Sequence, residues 1–234
     1  MEIQTLILDL DGPLLEGRQR HYTCYSQILR ENGYTPLPLK IYWEMKRERL
    51  CLEKQLAATG AGDLLEKFRR SWQARIEEPD LLALDVVQTG AREKLQAWHA
   101  EGRTLLLATL RHNAAGLHTQ LEQLDLARFF AAILVCRHAD GGRGKALTVR
   151  NSSAWRQNQE KAGASRSLWL GDTEIDIEAA RFLGCEVCAV SGGLRTAEYL
   201  ATQKPDYLIT DLAGLELSAI VPPALPENSV TALP

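Results

Sequence analysis

From Arg103 onward the chain alternates short apolar runs with longer amphipathic ones, and that alternation constrains its fold more than any other feature. Thr104–Thr109, residues 132–136, residues 167–170, Glu186–Val190 and Tyr207–Ile209 read as strands. Between and after them, residues 114–124, 145–161 (with a break near Ser152-Ser153), Glu174–Leu183 and 212–220 carry helical periodicity. Strands separated by helices at this spacing imply a parallel sheet with helices on both faces. A further strand opens the chain: Leu6-Ile7-Leu8 is an apolar run that ends in Asp9-Leu10-Asp11 and turns at Gly12. Side chains alternate along a strand, so Asp9 and Asp11 project to the same side. Two carboxylates held that close repel, and a cation, a shared proton or catalytic work is needed to keep them there.

The segment between this first strand and Thr104 lacks strand signals. A polar turn at residues 16–19 leads to a helix over 20–31, which Asn32-Gly33 stops. After Pro36 and Pro38, residues 40–76 read as helix interrupted at Gly60-Ala-Gly62, with Leu50, Leu56, Leu64, Leu65, Phe68 and Trp72 as the apolar stripe. Another helix spans 90–101. An all-helical insert between the first two strands is thus expected to lie over the carboxyl ends of the sheet, where open α/β sheets bind ligands. The expected architecture is α/β, a Rossmann-like three-layer parallel-sheet core (1–16 and 85–221) with an inserted helical cap (17–84). Residues 222–234, with four prolines, form a loose tail.

Composition narrows the function classes. A chain of 234 residues can bury a sizeable core, and 45% hydrophobic with 24% charged residues is ordinary for a globular protein. A net charge of −3 supplies no basic footprint for nucleic acid and no polybasic membrane patch. The apolar runs fall far short of the ~18–20 residues of a membrane span, and the first strand follows Met1 too closely to leave room for a signal peptide. A cytoplasmic protein is expected, monomer or homodimer. The five cysteines then read as reduced thiols. Cys185 and Cys188 form a CxxC, but strand residues three apart point to opposite faces, which suits neither a disulfide nor a shared metal.

Four chemistry-bearing sites fall at or near strand ends. They are Asp9 with Asp11; Thr109; Lys145, after Asp140-Gly-Gly-Arg-Gly; and Gly171-Asp172-Thr173, with Asp176 one helical turn further on. In this order and spacing they resemble the haloacid dehalogenase superfamily of aspartate-based phosphohydrolases. Residues 189–193 and 205–208 look like the last core strands of its phosphoglycolate-phosphatase-like branch, and the insert resembles that branch's C1-type helical cap.

The resemblance implies a Mg²⁺-dependent hydrolase acting on a small phosphomonoester. Asp9 would be the nucleophile that forms an aspartyl-phosphate, splitting one hard displacement into two easier ones. Asp11 would protonate the leaving oxygen and later deprotonate water. Thr109, with the backbone N–H groups of Leu110 and Arg111, would hold the phosphoryl oxygens, and Lys145 would bridge nucleophile and phosphate. Asp9, Asp172, Asp176 and the carbonyl of Asp11 would hold Mg²⁺. Asp172 also fits the simpler role of a cap on the Glu174–Leu183 helix.

Departures from the pattern are Pro13, Glu16-Gly17, Ala146 after the lysine, and Arg111, which would either clamp the substrate phosphate or pair with an acid at the surface. Substrate candidates among the cap cations are Lys46, Arg47 and Arg49, with Arg18, Arg20 and His21 on the connecting flap; phosphoglycolate, a sugar phosphate or a nucleotide would suit such a pocket. A phosphosugar mutase of the same superfamily shares the four motifs, and a catalytically silent binding protein on this fold would have lost an acid. A phospho-accepting receiver domain would place its threonine and lysine after all the acids.

Overall fold

The structure, a computed structural model, describes residues 2–162 and 166–220; the expected tail lies outside them. β1 (Ile3–Leu8) and a two-residue β2 (Leu15–Glu16) precede the helical insert of α1 (Arg18–Glu31), α2 (Leu39–Arg47), α3 (Leu52–Ala57), α4 (Leu65–Arg75) and α5 (Pro79–Leu82). β3 (Val86–Val87) pairs antiparallel with β2, so the strands entering and leaving the insert are tied to each other. Then follow α6 (Ala91–Ala100), β4 (Thr104–Thr109), α7 (Ala114–Gln123), β5 (Ala132–Val135), α8 (Gly141–Asn151), α9 (Ser153–Ala162), β6 (Arg166–Gly171), α10 (Glu174–Leu183), β7 (Glu186–Val190), α11 (Ala197–Thr202) and β8 (Tyr207–Ile209).

Six strands form one sheet in the order β5-β4-β1-β6-β7-β8. Every neighbouring pair is parallel. The period of two sorts the strand residues to two cores. Leu6, Leu8, Leu105, Leu107, Leu168, Leu170 and Cys188 pack with Leu95 and Trp98 of α6 and Leu117 and Leu121 of α7. Ile7, Leu106, Ala108, Trp169, Val187 and Ala189 pack with Ala146 and Val149 of α8 and Ile177 and Ala180 of α10. Cys185 joins this second layer and Cys188 the first, so the CxxC is split across the sheet as its spacing implies. All five thiols are free. The insert has a core of its own, in which Tyr25, Ile28, Tyr42, Leu56 and Phe68 are buried together. Among the described residues no helix is long and apolar enough to cross a membrane.

Four local expectations are corrected. The helix expected over 40–76 breaks after Arg47 as well as at residues 60–62. Arg49 adopts φ 59° and the Leu50 N–H returns to the Met45 carbonyl, closing α2 without a glycine. The polar run 140–144 is not a loop before Lys145, because α8 already starts at Gly141. A Cβ at Gly142 would overlap Glu178 and the Ile175 carbonyl, so the glycine lets α8 lie close against α10. The helix expected over 212–220 is two 3₁₀ turns, Leu212–Gly214 and Leu217–Ala219, pinned by Leu212, Leu215 and Ile220 in the core beside α6. α11 has little apolar periodicity and was not expected; Thr196 starts it by accepting the Tyr199 N–H.

Candidate active site

β1 lies between β4 and β6, where the chain order of the sheet reverses. In open α/β sheets the crevice at such a point is the ligand site. There Asp9, Thr109, Lys145, Asp172 and Asp176, expected together from the sequence, do come together.

Lys145 is only 1% exposed. Its ammonium donates to Asp9 Oδ1 at 2.9 Å and to Asp176 Oδ1 at 2.7 Å. Burial alone would lower its pKa; Asp176 and Asp9 outweigh that and hold it above the ordinary lysine range. Asp176 is fixed from both ends, since Trp169 Nε1 also donates to Oδ1 at 3.2 Å and the Thr173 N–H and hydroxyl donate to Oδ2. The bond from the Thr173 N–H is one half of a capping box at the start of α10, whose other half is the Asp176 N–H donating to the Thr173 side chain. Asp176, rather than Asp172, therefore supplies the helix-capping carboxylate.

Asp172 is fully buried. Its Oδ2 accepts the Leu194 N–H at 2.5 Å, while Oδ1 has no hydrogen-bond partner among the described residues. Gly12, at φ 101°, and Gly193 wrap this carboxylate so closely that a Cβ on either would overlap it. Donor oxygens of Asp9, Asp172 and Asp176 all lie within 4.8 Å of one another. Three carboxylates thus face one ammonium. Burial pushes the Asp9 carboxyl up to about 7, with Asp176 and Asp11 adding to the effect and Lys145 opposing it. Burial, then Asp9 and Asp176, raises Asp172 well above the carboxylate range. An orphaned buried oxygen, hard oxygen donors and excess negative charge fit a divalent cation such as Mg²⁺.

Asp11 is held differently. Arg111 donates to both of its oxygens, Nε at 2.6 Å and Nη2 at 2.7 Å, and Arg20 Nη2 donates to Oδ1 at 2.5 Å. Burial would raise its pKa, but Arg111 and then Arg20 hold it well below the usual carboxylate range. Both arginines also meet Asp85, Arg20 Nε at 2.8 Å and Arg111 Nη2 at 3.0 Å. Gln120 Nε2 donates to the same carboxylate at 2.9 Å. Arg111, 4% exposed, therefore pairs with acids in the interior and not at the surface, and its Nη1 has no hydrogen-bond partner among the described residues. The Arg111 N–H donates to Thr109 Oγ at 3.3 Å, and Thr109 itself is buried.

A cavity of about 970 Å³ opens from these groups toward the insert, lined by Asp9, Asp11, Thr109, Leu110, Arg111 and Asp172 on one side. Of the cap and flap cations singled out from the sequence, Arg20, His21 and Lys46 line it, and so does Arg69 of α4. Arg18 turns outward to Glu16. Arg47 donates to the Ser191 and Arg195 carbonyls and Arg49 pairs with Glu174, so these two join the insert to the core.

Two acids escaped the sequence reading. Asp85 sits where the insert returns to the core. Buried Glu77 accepts the N–H groups of His112 and Asn113, just after Thr109. The signal for both was weak: lone acids at helix ends, with partners distant in the chain.

A parallel sheet with clustered carboxylates at its switch point, roofed by helices, defines a Rossmann-like α/β enzyme. The family model for haloacid dehalogenase-like hydrolases matches residues 6–190, and the chain belongs to that family. It is similar to a phosphoglycolate phosphatase of Pseudomonas fluorescens, with 26% identity covering 94% of this chain and 80% of that protein. A phosphoglycolate phosphatase of Vibrio parahaemolyticus is 28% identical, covering 92% and 95%. In fold it resembles a haloacid dehalogenase-like family hydrolase from Streptococcus pneumoniae, with a TM-score of 0.66, 19% identity, and 89% and 94% of the two chains covered.

Proposed function

We propose that the protein is a Mg²⁺-dependent phosphatase that hydrolyses a small phosphomonoester through an aspartyl-phosphate on Asp9. The observation that carries this reading is the buried Lys145 bridging Asp9 and Asp176 beside an Asp172 oxygen without a partner. The names of the Pseudomonas and Vibrio relatives support the same reaction class.

Asp9 attacks phosphorus while the bond from phosphorus to the ester oxygen breaks, its electron pair staying on that oxygen. A proton from Asp11 neutralises the departing alkoxide. A water molecule then attacks phosphorus, Asp11 takes its proton, and inorganic phosphate leaves as Asp9 is regenerated. Such acid–base help contributes about 10²–10⁴-fold. Arg20 and Arg111 hold Asp11 as the carboxylate, the form that accepts the proton in the second step; the first step requires it protonated. The Thr109 hydroxyl and the N–H of Leu110 bind phosphoryl oxygens, and Lys145 offsets charge between nucleophile and phosphate. Asp9, Asp172, the Asp11 carbonyl and Asp176 would hold Mg²⁺, which when bound offsets and orients the phosphoryl charge.

Phosphate release from a metabolite panel plus an activated aryl phosphate, with Mg²⁺ or with EDTA, tests this. Release is expected with Mg²⁺, lost in EDTA and restored by added Mg²⁺; silence on every ester would end the hydrolase reading. Gly12→Ala should crowd Asp172 and raise the Mg²⁺ concentration for half-maximal rate about 10–100-fold, as losses beside metal ligands commonly do. A magnesium titration of the variant reads this directly.

A further inference from the structure

The insert's side of the cavity is built unlike its phosphate side, and the difference bears on what the phosphate is attached to. Tyr25, Tyr42 and Phe68 are buried in the insert's core, where Tyr25 and Tyr42 stack at 4.2 Å; Tyr42 and Phe68 also reach the cavity lining. Trp43, Trp72 and His21 are only partly buried and line the cavity. The His21 ring stands edge-on to both indoles, with centroids 5.9 Å from Trp43 and 5.4 Å from Trp72. Phe68 stacks on Trp72 at 5.8 Å, whereas Trp43 has no stacked ring among the described residues. The His21 Nδ1 is buried without a hydrogen-bond partner among the described residues.

Besides Arg20, two cations of the insert line this side of the cavity, Arg69, which pairs with Glu53 and Glu66, and Lys46. The Lys46 ammonium lies 4.7 Å from the Trp72 centroid and 5.8 Å from that of Tyr42. It has no carboxylate partner among the described residues. Burial, then Arg195 and Arg20, pushes its pKa down to about 7, so an anion placed beside it would restore its charge. The other arginines nearby are engaged: Arg20 with Asp11 and Asp85, and Arg195 with Glu174.

We infer that the leaving group of the phosphomonoester is a flat ring bearing an anionic substituent, with the ring against Trp43 and His21 and the anion paired with Lys46. This rests on the phosphatase reading above and names the substrate class of that site. A glycolate-sized group has no ring to set against the indole wall. An uncharged ring would cover the wall but leave a half-buried ammonium unpaired. Ring stacking on a half-buried indole and a charge-assisted contact to an ammonium each suffice for about tenfold selectivity.

Benzyl esters test this, because they keep an alkoxide leaving group throughout. We expect kcat/KM for 4-carboxybenzyl phosphate to exceed that for benzyl phosphate and for 2-phosphoglycolate by about tenfold each. Trp43→Leu should collapse the ratio between the ring esters and 2-phosphoglycolate, and Lys46→Met the ratio between 4-carboxybenzyl and benzyl phosphate. Ratios are insensitive to a general loss of folded enzyme. Preference for 2-phosphoglycolate or glucose 6-phosphate over the ring esters would overturn the inference while leaving the phosphatase reading intact, as would variants that lower every ester alike. If no ester is hydrolysed, the phosphatase reading falls. Binding of 4-carboxybenzylphosphonate, followed by tryptophan fluorescence, then decides: tighter binding than phosphonoacetate supports the ring-and-anion site, and equal or weaker binding removes it.

Discussion

Asp9→Asn should lower phosphate release by at least about 10⁴-fold, the scale seen when a covalent nucleophile is removed, while making the metal-free protein more stable. The loss of rate follows because an amide cannot form the acyl-phosphate. The gain in stability follows from the charge count. Oxygens of Asp9, Asp172 and Asp176 crowd within 4.8 Å of one another with a single ammonium, Lys145, bonded to two of them, and burial pushes the Asp9 carboxyl up to about 7. A carboxyl whose pKa is higher folded than unfolded favours the folded chain while protonated. The ionised form costs stability that grows as pH rises from about 4, its unfolded value, and levels off above pH 7. Asparagine keeps an oxygen for Lys145 and removes that cost. In EDTA the variant should therefore melt above wild type at pH 8 and near it at pH 4. Thermal melts at the two pH values, with phosphate release measured in Mg²⁺, check both halves. An Asp9→Asn protein that turns over normally would remove the nucleophile, and one that melts lower at pH 8 would remove the repulsion argument.

Asp85→Ala is expected to produce the largest loss of stability. Its carboxylate is fully buried and accepts from Arg20, Arg111 and Gln120. Arg20 is 2% exposed and Arg111 4%, so neither guanidinium can turn to water when Asp85 is removed. Breaking a buried ion pair by deleting one partner costs about 3–5 kcal/mol, because an uncompensated charge remains. At about 2–4 °C per kcal/mol for a chain of this size, the melting temperature should fall by roughly 6–20 °C. Asp85→Asn, which keeps the acceptor oxygen, should lose less. A melt within a degree or two of wild type would show that the arginine pair does not anchor the insert's connections. Asp11 adds a pH signature. Arg111 and Arg20 hold its pKa below the unfolded value, so its contribution is present above about pH 4 and is lost as pH falls further.

The difference between Asp9 and Asp11 shows what could be read from the chain. Their position on one side of a strand end follows from the period of two, and the like-charge conflict follows from that. The order of Thr109, Lys145 and Asp172 could also be read, because each follows a strand whose apolar run is local. Asp85 could not: its arginine partners lie 65 and 26 residues away, and a lone acid after a helix looks like any solvated one. Arg111 was legible as an arginine near the site but not as the bidentate partner of Asp11, 100 residues distant. Trp72 was read as a core stripe residue and Trp43 was not singled out; the packing of α1, α2 and α4 places both at the cavity.

By itself the sequence determined the alternating parallel core, the helical insert and the strand ends at which the acids, Thr109 and Asp172 stand. These depend on periodicities and turns that operate within a few residues. The tertiary structure alone decided which charge meets which. It made Asp176 the anchor of Lys145, left an oxygen of Asp172 without a partner, and closed two arginines around Asp11 and Asp85. Ion pairs and desolvation depend on distances through space, and the fold sets those between residues that no local pattern connects.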